Sequence, residues 1–206
     1  MKKLILLALF ALSAAPAFAA VGCDLNDPDR DVARLFPAST GYKTQYLSVK
    51  TAGGAPLLAR IEARLGDKFK GLYETIDVPY TLYHIYKGKE KVGYIHGVNQ
   101  KGEFGGIQAF ITLGLNGEIR AFYIQKLTSK GAAALRSKEF GEQFAGLTLA
   151  DFAAYDPVAG KVAGEGPAAR LKSPSPAADK DFRNVLRSVK KNLILMDELL
   201  FSREQK

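Results

Sequence analysis

With 206 residues and a mass of 22.3 kDa, the chain has the size of one ordinary domain. Its 47% hydrophobic and 24% charged residues exclude disorder as a global description. The single cysteine excludes an intrachain disulfide, a paired-cysteine haem attachment and a four-cysteine iron–sulfur cage. The net charge of +8 is spread among interleaved acids, which gives a weak preference for anionic partners and no nucleic-acid signature.

Residues 1–20 have the three regions of a secretory signal: Lys2 and Lys3, an apolar run over residues 4–12 that is too short to span a bilayer, and the small-residue site Ala17-Phe18-Ala19. Cleavage after Ala19 or Ala20 predicts a mature chain starting near Val21 and located in the periplasm. Without the two lysines its charge is about +6. The sequence Ala20-Val21-Gly22-Cys23 resembles a bacterial lipobox, with Ala20 where leucine is usual. Acylation of Cys23 would tether the domain to the membrane without adding a spanning helix.

Residues 24–40 form a polar leader. Asp27-Pro28 can start a short helix with Val32, Leu35 and Phe36 on one face, and Pro37 stops it. The acids Asp24, Asp27, Asp29 and Asp31 lack the glycine and glutamate spacing of a calcium loop, so they read as caps and solvated charge. A short strand is predicted over residues 42–49. A helix follows from Pro56, with Leu57, Leu58, Ile61 and Leu65 on one stripe and Gly66 as its stop. Residues 73–77, 80–86 and 92–96 read as strands of an antiparallel meander.

Residues 107–113 and 118–124 alternate, and Leu115-Asn116-Gly117 joins them, which is the strongest short-range hairpin signal in the chain. Ile107, Ala109, Ile111 and Leu113 share one face. Parity sets Ile119, Ala121, Tyr123 and Gln125 against Arg120, Phe122 and Ile124. Both faces are apolar, so both need cover. Gly102, Gly105 and Gly106 mark a sharp turn or a close backbone approach just before this hairpin.

Ser137 is placed to cap a short helix carrying Phe140 and Phe144 and closed by Gly146, and Thr148 with Asp151 forms a second capping box. Residues 156–176 are loop-like. Ser175-Pro176 then opens a helix in which Phe182, Val185, Leu186, Val189, Leu193, Met196 and Leu200 recur at helical spacing, with Lys180, Arg183, Arg187, Lys190 and Lys191 on its polar side. The fold class is therefore α+β, a bent antiparallel sheet with packed helices. The expected organisation is a signal peptide (1–20), a leader with the first strand (21–55), and the main domain (56–206).

No constellation for side-chain catalysis is present. His84 and His96 stand twelve residues apart without a third ligand at fixed spacing, and Cys23 lies in the leader, away from any histidine. Glu74 and Asp77 read as solvated carboxylates near a strand end rather than an acid pair. Neither catalytic residues nor metal ligands are assigned, so any chemistry must come from a cofactor.

The succession Val92-Gly93-Tyr94-Ile95, Gly105-Gly106-Ile107, Leu115-Asn116-Gly117-Glu118-Ile119 and Phe122-Tyr123-Ile124, followed by Phe140 and Phe144-Ala145-Gly146, resembles the FMN-binding domain of flavin-carrying subunits of bacterial ion-pumping NADH oxidoreductases and related exported electron-transfer proteins. The resemblance spans residues 80–196. It implies an FMN-binding-domain-like fold, FMN as cofactor, and membrane or periplasmic redox proteins as partners. Where that family has His-x-Glu-Thr-Pro-Gly, residues 125–131 keep only Thr128 and Gly131. Where it has Ser-Gly-Ala-Thr, Lys172-Ser173-Pro174-Ser175-Pro176-Ala177 has no threonine, so a flavin here is expected to be held non-covalently. The implied contacts are Gly105 and Gly106 against the ring, Thr128 and Ser129 at its polar edge, and Lys172, Ser173, Ser175 and the Ala177 amide at the phosphate, on the amino end of the last helix. The missing threonine and glutamate favour an alternative: a cofactor-free exported binding or assembly module on the same scaffold.

Overall fold

The computed structural model describes residues 22–204, and the expected export signal lies outside them. Five strands, β1 (Gly41–Leu47), β2 (Tyr80–Lys87), β3 (Glu90–Lys101), β4 (Gly106–Leu113) and β5 (Ile119–Lys126), form one antiparallel sheet in chain order. Helices α1 (Pro28–Leu35), α2 (Val49–Ala52), α3 (Gly54–Leu65), α4 (Ala132–Leu135), α5 (Lys138–Glu142) and α6 (Asp179–Met196) surround it. The fold is mixed α+β, with an antiparallel sheet packed against helices.

The β4–β5 hairpin forms as its turn residues dictate. Gly117 takes the left-handed φ of +81° that a side chain resists, and Gly114 and Glu118 close the turn by a 2.9 Å backbone bond. The parity expected for β5 is corrected by a bulge. Leu113 pairs with Ile119 but Thr112 pairs with Ala121, so Arg120 is the extra residue. Beyond it the alternation is reversed, and Phe122 and Ile124 join Ile119 on the face of Ile107, Ala109, Ile111 and Leu113.

That face is covered by α6 through Val185, Leu186, Val189 and Leu193. Beside it, Leu57, Ile61 and Leu65 of α3 pack with Val98 of β3 and with Ile194 and Leu195 of α6. Gly66 ends α3 at φ +76°, as its position predicts. The opposite face, with Tyr83, Ile85, Ile95 and Phe110, is covered by the leader through Cys23, Leu25, Val32 and Phe36. The Asp27 side chain accepts from the Arg30 amide to cap α1, and Cys23 makes a parallel bridge to Tyr80. The Cys23 sulfur is thus inside, with the residue 1% exposed and its thiol pKa pushed up by burial. An acyl anchor on this sulfur requires Cys23 to come out of its bridge to Tyr80 and out of this packing.

The strand expected over residues 73–77 does not form. This segment is a loop of turns, because Glu74 is drawn inward to pair with α6 instead of extending along a neighbouring strand. Pro176 opens a single 3-10 turn, Pro176–Ala178, and α6 proper begins at Asp179 and passes into a wider π-helical turn, Asp197–Phe201. Antiparallel to β3, α6 brings Asp181 to Glu103, Arg187 to Gln100, Lys191 to Asn99 and Asn192 to His96. Residues 185–196 are buried all round the helix, so Arg187, Lys190 and Lys191 do not form the solvated side expected of them.

Candidate functional site

Among the described residues, Arg60 and Arg64 pair with Asp197 and Glu198 between α3 and the end of the last helix, and two other charged groups border clefts. The first is the contact of α6 with residues 67–74. Lys191 is fully buried, and its ammonium donates to Glu74 Oε1 at 2.5 Å and to the Asn99 carbonyl at 2.7 Å. One turn earlier, Arg187 donates Nε to Asp67 Oδ2, Nη1 to Glu74 Oε1 and Gln100 Oε1, and Nη2 to the Lys68 carbonyl and Glu74 Oε2. A guanidinium has five N–H groups, and all five are taken. Burial works to raise the Glu74 carboxyl, but Lys191 and Arg187 outweigh it and leave its pKa below the ordinary carboxylate value. Glu74 is thus a buried, paired carboxylate rather than the solvated one expected, while Asp77 is exposed. A cleft of about 580 Å³ opens beside Arg187 and Tyr73. Within the cluster, Arg187 and Lys191 are balanced by Asp67 and Glu74, so these four brace the fold, while Lys70 and Lys101 are the other cations that line the cleft.

The second place is a groove of about 550 Å³ along the outer edge of β5, between α1 and α4–α5. Arg34, Arg120, Arg136 and Lys138 line it, together with residues 121–124 of β5 on one side and Gly141 and Ala145 on the other. The Arg34 guanidinium lies 4.2 Å from the Tyr123 ring centre and bonds to Asp31 at 3.0 Å. Arg120, projected by the β5 bulge, donates to the Val92 carbonyl, and Arg136 donates to the carbonyls of Ile124 and Leu127. Among the described residues each of these arginines keeps N–H groups that have no partner. Glu142, paired with Lys138 at 3.4 Å, is the acid that lines the groove. The lining therefore combines surplus positive charge with apolar wall, which suits an anion attached to an apolar body.

The residues expected to hold FMN are dispersed. Gly105 and Gly106 form the β3–β4 turn, where a Cβ on Gly106 would stand 2.7 Å from the Tyr73 hydroxyl. Lys172 and Ser173 line a shallow depression with Ser137, Phe140, Gln143 and Pro174. The Lys172 side chain is exposed, and Ser173 Oγ donates to the Ser175 carbonyl. Thr128 is exposed, while Ser129 Oγ is enclosed without a partner. The Thr128–Ser129 loop does reach Ala177, because Gly131 packs against the helix start so closely that a Cβ on it would lie 2.5 Å from Ala178 Cα. That closeness fills the space a phosphate needs. Ala178 N already bonds to Ser175 O, Pro176 has no N–H, and Asp179 and Asp181 occupy the first turn of α6. The amino end of α6 thus offers few free amides and two nearby carboxylates, whereas the β5 groove offers guanidinium N–H groups.

His96 is buried against Asn192, whose Oδ1 lies 2.6 Å from Nδ1, and burial lowers its pKa to about 4. His84 bonds to Gln45 at 2.9 Å on β1. Among the described residues no three His, Cys, Asp or Glu side chains are grouped as metal donors. The groove arginines carry no sequence signal of their own, since they come from α1, the bulge of β5 and the segment after α4. The i, i+4 spacing of Arg187 and Lys191 was visible, but their inward direction was not. No protein-family model matches the chain, and no curated protein matches it.

Proposed function

We propose that the protein is an exported ligand-binding domain whose β5 groove takes an anionic molecule with a flat apolar body, and that this molecule is FMN, held non-covalently for electron transfer with membrane or periplasmic redox proteins. The observation that supports this site is the contrast between arginines: Arg187 has no N–H to spare, and Arg34, Arg120 and Arg136 do. These three would hold the phosphate by charge-assisted bonds, and residues 121–124 of β5 with Gly141 and Ala145 would face the apolar body. Bound FMN supplies one- and two-electron transfer, and the chain supplies position, charge and partial exclusion of water. The same groove favours the second reading, a cofactor-free binding or assembly module, because it runs beside the outer edge of a strand, along which an acidic segment of a partner can lie.

The test is the absorption spectrum of gently purified protein, followed by titration with FMN and riboflavin read by flavin fluorescence. Arg34→Gln and Arg120→Gln are each expected to weaken FMN binding by about 1–3 kcal/mol and to leave riboflavin, which lacks the phosphate, unchanged. Lys172→Ala and Ser175→Ala are expected to change neither ligand. Loss of FMN binding in the Lys172 and Ser175 variants alone would move the phosphate to the helix amino end. A colourless protein that does not quench added FMN would leave the cofactor-free module.

A further inference from the structure

Five large apolar side chains stand exposed among the described residues, and three of them belong to loops that meet around one cleft. Leu72 (56% exposed) lies between Gly71 and Tyr73, Phe104 (56%) follows Gly102 and Glu103, and Val158 (73%) follows Pro157; Gly71, Tyr73, Gly102, Pro157 and Val158 all line the 580 Å³ cleft beside Arg187. The exposure is built in. Gly102 N donates to Gly105 O across a turn in which Gly105 has φ +82°, and Asp181 accepts from the Glu103 amide, so Phe104 is held at the tip of a braced turn. Asp156 Oδ1 accepts from the amides of Val158 and Ala159 and holds the turn between β6 (Tyr155–Asp156) and β7 (Lys161–Val162) in the same way.

Each tip has a lysine beside it: Lys70, Lys101 and Lys161. Lys101 and Lys161 have no carboxylate within ion-pair distance among the described residues; of the nearby acids, Asp67 and Glu74 pair with Arg187, Glu103 pairs with Lys180, and Asp156, across from Lys161, accepts the amides of Val158 and Ala159. Lys70 reaches Asp67 at 3.4 Å. The rim therefore carries three apolar tips, each with a lysine two or three residues away along the chain.

We infer that this end of the domain docks on an anionic lipid surface, with Leu72, Phe104 and Val158 entering the headgroup layer and Lys70, Lys101 and Lys161 meeting lipid phosphates. The arrangement favours lipid over a protein partner because its order is the reverse of a protein interface. Such interfaces have an apolar centre and a polar rim, and here separate apolar tips surround a cleft that holds the paired charges of Asp67, Glu74 and Arg187. Separate tips flanked by lysine are suited to an interfacial layer, where apolar atoms sink and cations remain at phosphate depth. No helix among the described residues is long and apolar enough to cross a membrane, so this contact is peripheral.

The chain has no tryptophan, so Phe104→Trp makes a single reporter in the otherwise intact protein. Leu115→Trp, in the β4–β5 turn at the other end of β4, is the control. With phosphatidylethanolamine–phosphatidylglycerol vesicles, the indole emission of the Phe104→Trp variant is expected to shift to the blue and to be quenched by brominated acyl chains, and that of the Leu115→Trp variant is expected to change little. Lys101→Gln and Lys161→Gln, each added to the Phe104→Trp variant, are expected to weaken the response about fivefold, and phosphatidylcholine vesicles to elicit little of it. Vesicle binding without a change at position 104 would place the contact elsewhere and overturn the proposal. A blue shift seen only with protein-containing membranes and absent with pure lipid would assign the surface to a protein partner instead, which also overturns it.

Discussion

Lys191 and Arg187 bring two positive charges into the interior on successive turns of α6, and Glu74 with Asp67 brings two negative ones to meet them. Breaking such a group is costlier than never building it, because the partner left behind is a desolvated charge. Lys191→Met or Glu74→Gln alone is expected to cost about 3–5 kcal/mol of unfolding free energy in urea. The double variant keeps Arg187 against Asp67 and is expected to cost clearly less than the sum of the two. Additive losses in the cycle would mean that the pair is not coupled. His96 sets a different limit. Its folded pKa of about 4 is below the unfolded value of 6.5, so its neutral form contributes stability that is complete above 6.5 and disappears as pH falls towards 4. The loss is about 3 kcal/mol, and His96→Gln is expected to flatten the fall in urea midpoint over that window. Below it, protonation of Glu74 and Asp67, whose pKa values are held low, removes a further share in both proteins.

At the scale of elements, β3 and β4 are locked by a ring on a glycine. Gly97 pairs with Phe110, and a Cβ on Gly97 would meet the ring at 2.3 Å. Gly97→Ala is expected to destabilise by about 1–3 kcal/mol through overpacking, and Phe110→Leu in the same chain to return part of it, both read by thermal melting. The β4–β5 hairpin, the stripe of α3, the cap of α5 at Ser137 and the long final helix were all legible, because each is written in local periodicity or turn chemistry. What was not legible depended on distant residues. Residues 73–77 have strand-like composition, yet the attraction of Glu74 to Arg187 and Lys191 over more than a hundred positions outweighs that propensity. The bulge at Arg120 inverts the parity of β5 after a single residue, which alternation cannot show. The groove arginines come from segments as far apart as α1 and the stretch after α4, so only the folded chain brings them together. The resemblance pointed to the amino end of α6, and it could not show that Gly131 packs there against Ala178.

For the whole molecule, the sheet has two apolar faces covered from opposite ends of the chain, by residues 23–36 on one side and chiefly by α6 on the other. The β5 groove lies along one sheet edge and the loop tips at the end marked by the β3–β4 turn, so the proposed ligand site and the proposed lipid contact would not compete for the same surface. The position of α6 also bears on how the chain is made. Every strand is synthesised before this helix, so a growing polypeptide completes its sheet while one greasy face is bare and Glu74 and Asp67 wait for their cations. The nascent species most exposed to aggregation and proteolysis is therefore a nearly finished one. A chaperone that guards it must hold on until residues 185–200 have emerged, and a chain stopped short of them lacks the main cover of that face.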